Sequence, residues 1–359
     1  MAKKIRIKDI AALAGVSAGT VDRVLHNRGS VAEDKRLKIE EVLKKMNYSP
    51  NIHLSAISLK KTYRFVIAIP DFSEGEYWFF AEKGIRQAFE TYSALDIVCE
   101  FCYYNHFDLF SCRDSFEQVI LHKPDAVIIG PTFRDETIHL SNQLSDMGIP
   151  YVFIDSAVEG ASPLAFYSSN PYTCGYLIAK LITNITPKGA DIALLQAIRI
   201  GDESANATIL RKAGFMAYYN EHNLQNKLYR VNYSALDNEQ NEKLLNDFFK
   251  DNQETKGAVI LNSRAHVITD YMKKHEIHNI KFVGIDLTEK NNQAIREGCI
   301  DFLIGQRPEQ QGYMAVKTLI QYLVFGKSAQ VTNYMPIDII VKENADLYSG
   351  LTDFVLDTD

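Results

Sequence analysis

The sequence predicts an α/β fold in which two doubly wound parallel-sheet lobes follow a small all-helical head. Three observations carry that expectation. The chain has 359 residues, enough for two or three domains at roughly 100–200 residues each. From Tyr63 onward, short continuous apolar runs alternate with stretches of helical period, as parallel strands covered on both faces do. The first sixty residues hold no such run and show only short helical segments.

Composition narrows the class. Hydrophobic residues make up 46% and charged residues 23%, which excludes a mainly disordered chain. No apolar run approaches the ~20 residues a membrane-spanning helix requires, so no membrane partner is expected. The start, Met1-Ala2-Lys3-Lys4-Ile5-Arg6, is basic but lacks the apolar stretch of a secretory signal. Five thinly spread cysteines suit a reducing compartment, and the expected location is cytoplasmic. Net charge is −6 overall, yet residues 1–60 hold twelve Lys/Arg against six Asp/Glu, a balance of +6. A basic head on an acidic body points to a polyanionic partner for the head alone.

In the head, Lys8 to Ala14 and Ala18 to Leu25 have helical spacing, with Ile10, Ala11, Leu13, Ala14, Val21, Val24 and Leu25 apolar. Gly15 suits a tight turn, and Ser17 is placed to cap the second helix. Two short helices across such a turn form a helix-turn-helix. A third helix is predicted from Ala32 to Met46, with Leu37, Ile39, Val42, Leu43 and Met46 apolar. The second helix of such a motif enters the major groove by its N-terminal residues, here Ser17, Ala18, Gly19 and Thr20. Arg23 is the candidate base reader, because its fork can bond a guanine edge at two points. His26, Asn27 and Arg28 just beyond it complete the set of DNA candidates. Gly15-Val16-Ser17-Ala18-Gly19 also spells a hydrolase nucleophile elbow, but that motif needs a preceding strand, and a helix stands there instead.

In the body, apolar runs at Phe65–Ile69, Ile97–Tyr103, Ala126–Ile129, Tyr151–Ile154, Ile192–Leu195, Ala258–Leu261, Phe282–Ile285 and Phe302–Gly305 read as strands. Tyr77 to Thr91 reads as a helix. These are too many strands for one modest sheet, and two lobes with a cleft between them fit better. Ligands in open α/β sheets bind beyond the carboxyl ends of strands. The residues just past the strands are Asp71 and Phe72, Asp155-Ser156, Asn262-Ser263, Asp286 and Gln306-Arg307, with Arg211 near the start of a helix. Carboxylates, amides and a guanidinium aimed at one crevice suit a neutral polyhydroxyl ligand, and Tyr77 or Trp78 can face a sugar ring.

Other patterns carry less. Cys99 and Cys102 lie three apart on a strand and face opposite ways, with no second pair at zinc spacing. His275 and His278 near Glu276 read as an exposed helix end. No Walker loop or G-x-G-x-x-G is present, and no nucleophile–base pair stands out. No cofactor, metal or catalytic residue is expected, and the chain does not read as an enzyme.

Ile7-Lys8-Asp9-Ile10-Ala11, Ala14-Gly15-Val16-Ser17, Thr20-Val21, Arg23-Val24-Leu25 and Tyr48-Ser49-Pro50-Asn51 together resemble the headpiece of lactose-repressor (LacI) family regulators. The resemblance implies a hinge helix after Pro50, DNA contact by Asn51, and an apolar wedge, here Ile57, in the minor groove. Asp22 stands where the family usually has serine and Arg6 where it has a threonine cap, and Leu54-Ser55 replace its usual hinge alanine-arginine. The body resembles the type I periplasmic-binding-protein-like sugar domain of that family. Its clearest pieces are Arg211-Lys212-Ala213-Gly214-Phe215, Val283-Gly284-Ile285-Asp286 and Gln306 with Gly312 to Val316. Carried over by residue, Asp155, Arg211, Asn262, Asp286 and Gln306 fall on ligand-contacting positions. The implied division is 1–49 headpiece, 50–61 hinge, 62–345 ligand-binding and dimerisation domain, and 346–359 acidic tail. That tail lacks leucine heptads, so a homodimer on a pseudo-palindromic double-stranded operator is expected, with a small carbohydrate as allosteric effector. The rival expectation is a cytoplasmic sensor of the same fold for a nucleobase or sugar phosphate.

Overall fold

The computed structural model describes residues 7–25, 31–45, 61–201, 205–234 and 237–349. His26, Asn27, Arg28, Asn51 and Ile57 lie outside these residues, as do Arg6, Leu54 and Ser55.

The head holds α1 (Ile7–Ala14), α2 (Ala18–Leu25) and α3 (Glu33–Lys45). The α1 helix stops because Gly15 takes the left-handed conformation, φ +66°, and the Val16 N–H returns to the Ala11 carbonyl at 3.0 Å. That pairing closes a Schellman turn, for which glycine is favoured. Ser17 then caps α2, its Oγ accepting from the Thr20 N–H at 3.1 Å. Ile10, Ala11, Ala14, Val21 and Ile39 are buried where the three helices meet. Leu13 and Leu37, read as apolar face positions, are 63% and 58% exposed instead. The head is too small to cover every leucine that the helical period aligns.

The body begins with β1 (Tyr63–Pro70), α4 (Tyr77–Thr91), β2 (Ile97–Tyr104), α5 (Leu109–Leu121), β3 (Ala126–Ile129), α6 (Arg134–Asp146), β4 (Tyr151–Ile154) and β5 (Ala165–Ser168). Next are α7 (Pro171–Ile185), β6 (Asp191–Ala197), α8 (Asn206–Glu221), β7 (Leu228–Tyr233), α9 (Asn238–Asp251), β8 (Thr255–Ile260), α10 (Ala265–Lys274), β9 (Lys281–Ile285), α11 (Glu289–Arg296) and β10 (Phe302–Gly305). Then come α12 (Pro308–Leu323), β11 (Thr332–Tyr334), β12 (Asp338–Ile340) and α13 (Ala345–Ser349).

Two six-stranded sheets result, ordered β11-β5-β4-β3-β1-β2 and β12-β10-β9-β8-β6-β7. Read strand for strand, the second sheet repeats the first. Each lobe is doubly wound, with apolar clusters on both faces of its sheet. The burial of Phe65 to Ile69, and of Ala126 to Ile129, accounts for runs without polar alternation. Cys99 packs on one face of the first sheet and Cys102 on the other.

Two features differ from the sequence expectation. The β12 strand pairs antiparallel with β10, so the second sheet is not purely parallel. No helix separates β4 from β5, and β5, β7, β11 and β12 escaped the reading. Three of these are edge strands in their sheets. An edge strand buries less of itself and loses the continuous apolar signature, as the half-exposed Leu228–Tyr233 does.

The chain passes between lobes three times: from β5 into α7, from β10 into α12, and from β11 to β12. The α12 helix packs on α4 in the first lobe, as α7 packs on α8 in the second. Both crossings are close. A Cβ on Gly84 would stand 1.8 Å from the Glu309 carbonyl oxygen, and one on Gly175 1.8 Å from that of Arg211. These two glycines therefore set how near the crossing helices lie, and with them the position of Arg211 at the cleft.

Candidate functional site

The cleft is built from loops at the carboxyl ends of strands in both sheets, where open α/β folds place their ligands. Asp155 follows β4, Asp286 follows β9 and Gln306 follows β10. Asp155 and Asp286 both adopt the left-handed region, φ +74° and +66°, which aspartate tolerates better than most residues. Arg307 does the same at φ +55°. Such conformations persist where surrounding contacts fix them. The Asp155 N–H donates to Gln311 Oε1 at 2.7 Å, and the Asp286 carbonyl accepts from the Asn291 amide at 2.9 Å.

One buried polar network links the side chains. Arg211 Nη1 donates to the Leu261 carbonyl at 3.0 Å, and Nη2 to Gln306 Oε1 at 2.8 Å. Gln306 Nε2 donates in turn to Asp286 at 2.9 and 3.2 Å. Asp155 Oδ1 lies 3.8 Å from Arg211, and the neighbouring Tyr77 hydroxyl favours the charged form of the Asp155 carboxyl. Arg211 Nε is buried with no partner among the described residues.

Burial raises the pKa of both carboxylates. Asp155 is raised, with Arg211 and the Tyr77 hydroxyl opposing the shift. Asp286 is raised to about 7, with Arg211 and Gln306 opposing and the negative charge of Asp155 adding to it. A carboxyl with a raised folded pKa contributes stability below its unfolded value that is lost as pH rises through the folded one. Asp286 therefore favours the folded state most near pH 4 and least above pH 7. Asp286→Asn is expected to flatten the fall in Tm between these limits. Near pH 8 it should add stability on the order of 2 kcal/mol, read from denaturant unfolding at several pH values.

The structure brings six of the eight ligand candidates to one inner cavity of about 60 Å³: Trp78, Asp155, Arg211, Asn262, Asp286 and Gln306. Trp78 is at once core and cleft wall. It is buried in the first lobe, its indole so close to Gly130 that a Cβ there would stand 2.5 Å from it. Asn262 spends part of its amide on the Tyr233 hydroxyl, 3.0 Å from its Oδ1, and on the Arg264 N–H at 3.0 Å. Asp71 and Phe72 line an adjoining cavity of about 230 Å³, also faced by Tyr77, Trp78, His106 and Phe107. Phe72 packs edge-on against Phe79 and Tyr103.

Residues missed from the sequence complete the walls: His106 and Phe107 after β2, Thr132 after β3, and Arg199 after β6. Each stands just past the carboxyl end of a strand, so the rule that picks out Asp155 and Asp286 reaches them too. Burial, with Arg199 and Arg264 nearby, pushes the His106 imidazole down to about 3, so it is neutral at physiological pH. Asn206 at the start of α8 reaches across, donating to Ser156 Oγ at 3.1 Å and the Ala157 carbonyl at 2.8 Å. The Ile200 N–H meets the Phe107 carbonyl at 2.8 Å, and the Glu289 N–H that of Gly75 at 2.9 Å. The lobes are thus closed on each other.

In the head, Ser17, Gly19 and Arg23 are exposed, and Ala18 and Thr20 half-exposed. Arg23 lies three residues from Thr20 and four from Gly19, which puts them on one helix face. No described helix is long and apolar enough to cross a membrane. Among the described residues no group of three His, Cys, Asp or Glu is placed to hold a metal ion.

A helix-turn-helix head followed by a two-lobed, cleft-bearing α/β body defines a class, the ligand-sensing regulators. Residues 6–51 match the bacterial regulatory proteins of the lacI family, and residues 65–328 match the periplasmic binding protein domain. A chain from Bacteroides fragilis assigned as a LacI transcriptional regulator is 35% identical, with a TM-score of 0.77, over 80% of this chain and 100% of that one. The protein belongs to the lacI family of bacterial regulatory proteins. The ribose operon repressor of Lactococcus lactis is 26% identical over 76% of each chain. The regulator DegA of Bacillus subtilis is 34% identical over 96 residues, 27% of this chain and 28% of that one. GanP, a glucose-galactose binding protein from Geobacillus stearothermophilus, shares the fold at 20% identity and a TM-score of 0.69, over 79% of this chain and 99% of its own.

Proposed function

We propose that the protein is a DNA-binding transcription regulator whose operator affinity changes when a small carbohydrate binds between the lobes. The observation that carries this reading is the buried network of Asp155, Arg211, Asp286 and Gln306, in one chain with an exposed helix-turn-helix face. Carboxylates accept from sugar hydroxyls, and Arg211 and Gln306 donate to them. Trp78 and Phe107 supply apolar walls for the C–H face of a ring. Arginine and raised-pKa aspartates in balance favour a neutral ligand over a strongly charged one. Binding draws on contacts from both sheets, so it couples to the lobe angle, a coupling of about 1–3 kcal/mol in typical allosteric proteins.

In this reading the head, residues 1–49, binds DNA through Ser17, Ala18, Gly19, Thr20 and Arg23, joined by His26, Asn27 and Arg28. Residues 50–61 form the hinge, with Asn51 and Ile57 at the minor groove. Residues 62–345 bind ligand and dimerise, and 346–359 form a short tail. Ala345 and Tyr348 of α13 pack against the core of the second lobe. The protein acts in the cytoplasm as a homodimer on a pseudo-palindromic operator, its two heads related by the dimer axis. Its role is that of a sensor, not an enzyme.

Thermal unfolding against a panel of sugars, sugar phosphates and purines tests the effector. A ligand at 100 times its Kd adds about 2.7 kcal/mol, and at roughly 2–4 °C per kcal/mol the Tm rise is easily read. A rise with neutral sugars is expected. A rise confined to purines or sugar phosphates would replace the carbohydrate reading with the sensor of another metabolite.

A further inference from the structure

The inner cavity alone is too small for a sugar ring. Its free space is about 60 Å³, whereas a cavity of roughly 150 Å³ holds a single benzene ring, and a pyranose with its hydroxyls is larger. The polar groups inside are also largely spent on one another, Arg211 on Leu261 and Gln306, and Gln306 on Asp286. With the lobes closed, that cavity admits hydroxyl groups of a ring that itself lies further out.

The space for the ring is next door. The adjoining cavity of about 230 Å³ shares five lining residues with the inner one: Tyr77, Trp78, His106, Phe107 and Ser263. These five form a neck between the two, and its walls suit a sugar. Tyr77 and Trp78 stand edge to face, ring centroids 5.1 Å apart, and offer aromatic surface to C–H groups. His106, kept neutral by burial, has one donor and one acceptor, which matches a hydroxyl. Together the two cavities approach the ~300 Å³ at which small-molecule sites begin, about twice the space of one ring.

Beyond the neck the outer cavity is lined by Asp71, Phe72, Ser73, Glu76, Asn105 and Arg264. None of the six is buried, in contrast to the inner network. Asn105 Oδ1 accepts from the Phe107 N–H at 2.9 Å, which fixes the orientation of the amide and leaves its nitrogen to donate. Arg264, from the second lobe, rests 5.0 Å over the Phe107 ring and 3.5 Å from Glu76. With Arg264 offset by Glu76, Asp71 leaves this chamber negative on balance, which favours a neutral occupant over a phosphate.

We propose that the outer cavity is a second sugar subsite, and that the effector is a neutral disaccharide lying along both cavities. Its first ring occupies the neck beside Trp78 and Phe107, with hydroxyls toward Asp155, Arg211, Asp286 and Gln306. Its second ring lies among Phe72, Asn105 and Arg264. This rests on the carbohydrate reading of the cleft and adds the length of the ligand to it. Phe72 and Asn105 belong to the first lobe and Arg264 to the second, so the second ring supplies its own contacts across the gap between the lobes.

Calorimetric titration of the full-length protein compares maltose, cellobiose, lactose and xylobiose with the methyl glycosides of their non-reducing sugars. One disaccharide is expected to bind at least about tenfold tighter than its methyl glycoside, with one molecule per chain. Phe72→Leu, which keeps an apolar side chain against Phe79 and Tyr103, should cut that ratio about threefold or more. Asn105→Ala, which removes the donor, should cut it about fivefold or more. The ratio is the readout because a variant that merely distorts the neck weakens both ligands together. A methyl glycoside that binds as tightly as every disaccharide overturns the proposal and leaves the carbohydrate reading standing. A disaccharide advantage that survives both substitutions also overturns it, since the second ring then lies elsewhere. Binding of no saccharide of either length, in a protein that still melts cooperatively, overturns the carbohydrate reading and the proposal with it.

Discussion

Arg211→Ala is expected to abolish the effector response while leaving operator binding in place. The guanidinium is 4% exposed and joins three parts of the cleft: the end of β8 through Leu261, the end of β10 through Gln306, and Asp155 of the opposite lobe. Alanine there removes the donor a sugar hydroxyl would meet. It also leaves Asp155 and Asp286 buried without their cation. Breaking a buried charged set by deleting one partner costs about 3–5 kcal/mol, a fall in Tm on the order of 10 °C. Protonation offers partial relief, because both carboxyls are already raised by burial. The loss should therefore be smaller at pH 5.5 than at pH 8, because a carboxyl that burial has raised takes up its proton more readily at the lower pH. Two measurements check this: the melting temperature at those two pH values, and a titration with the sugar that stabilises the parent protein. A normal isotherm in the variant would move the effector site elsewhere. An unchanged Tm would mean that the network does not hold the lobes together.

Much of this site is legible in the sequence alone. The rule that ligands meet the carboxyl ends of parallel strands picks out Asp155, Asn262, Asp286 and Gln306 directly, because the strands before them are unbroken apolar runs. Arg211 is reachable only through its helix, and its partner Asp155 is 56 positions away in sequence. No periodicity reveals that Gln306 bridges Arg211 and Asp286, since the bridge depends on the lobe crossover at Arg307-Pro308. Asn206 is invisible for another reason. It is a small polar residue of the kind that caps helices everywhere, and only lobe closure makes it a cross-lobe contact. In the fold, the buried central strands announce themselves, whereas β7, β11 and β12 do not. Their exposed positions make them read like loops. Leu13 and Leu37 show the converse failure, in which the right helical period does not guarantee burial in a head of three short helices.

Arg23→Ala should have the largest effect on DNA. Ser17 caps α2 at the point where its first turn presents Ala18, Gly19 and Thr20, and small side chains there allow the backbone close to the bases. Arg23 is the first long side chain on that face, and it is exposed. A bidentate contact to a base is worth about 1–3 kcal/mol, and a dimer makes it twice. The expected loss is about 2–6 kcal/mol, or roughly 30-fold to 10⁴-fold in operator Kd. Fold stability should stay within about 0.5 kcal/mol of the parent, as for most exposed substitutions. The salt dependence of binding separates base reading from simple charge attraction. If Arg23 reads a base, the variant keeps its weak affinity for unrelated DNA, and the slope of log K against log salt changes little. If it only neutralises phosphate, affinity falls equally on all sequences and the slope drops by about 0.9 per head. A second test exchanges the operator base pair that the parent protein discriminates most strongly. That exchange should cost the parent about as much as the mutation does and cost the variant almost nothing further, because the lost partner is the same. Equal penalties in both proteins would assign base recognition to another residue of the α2 face and leave Arg23 with the phosphates.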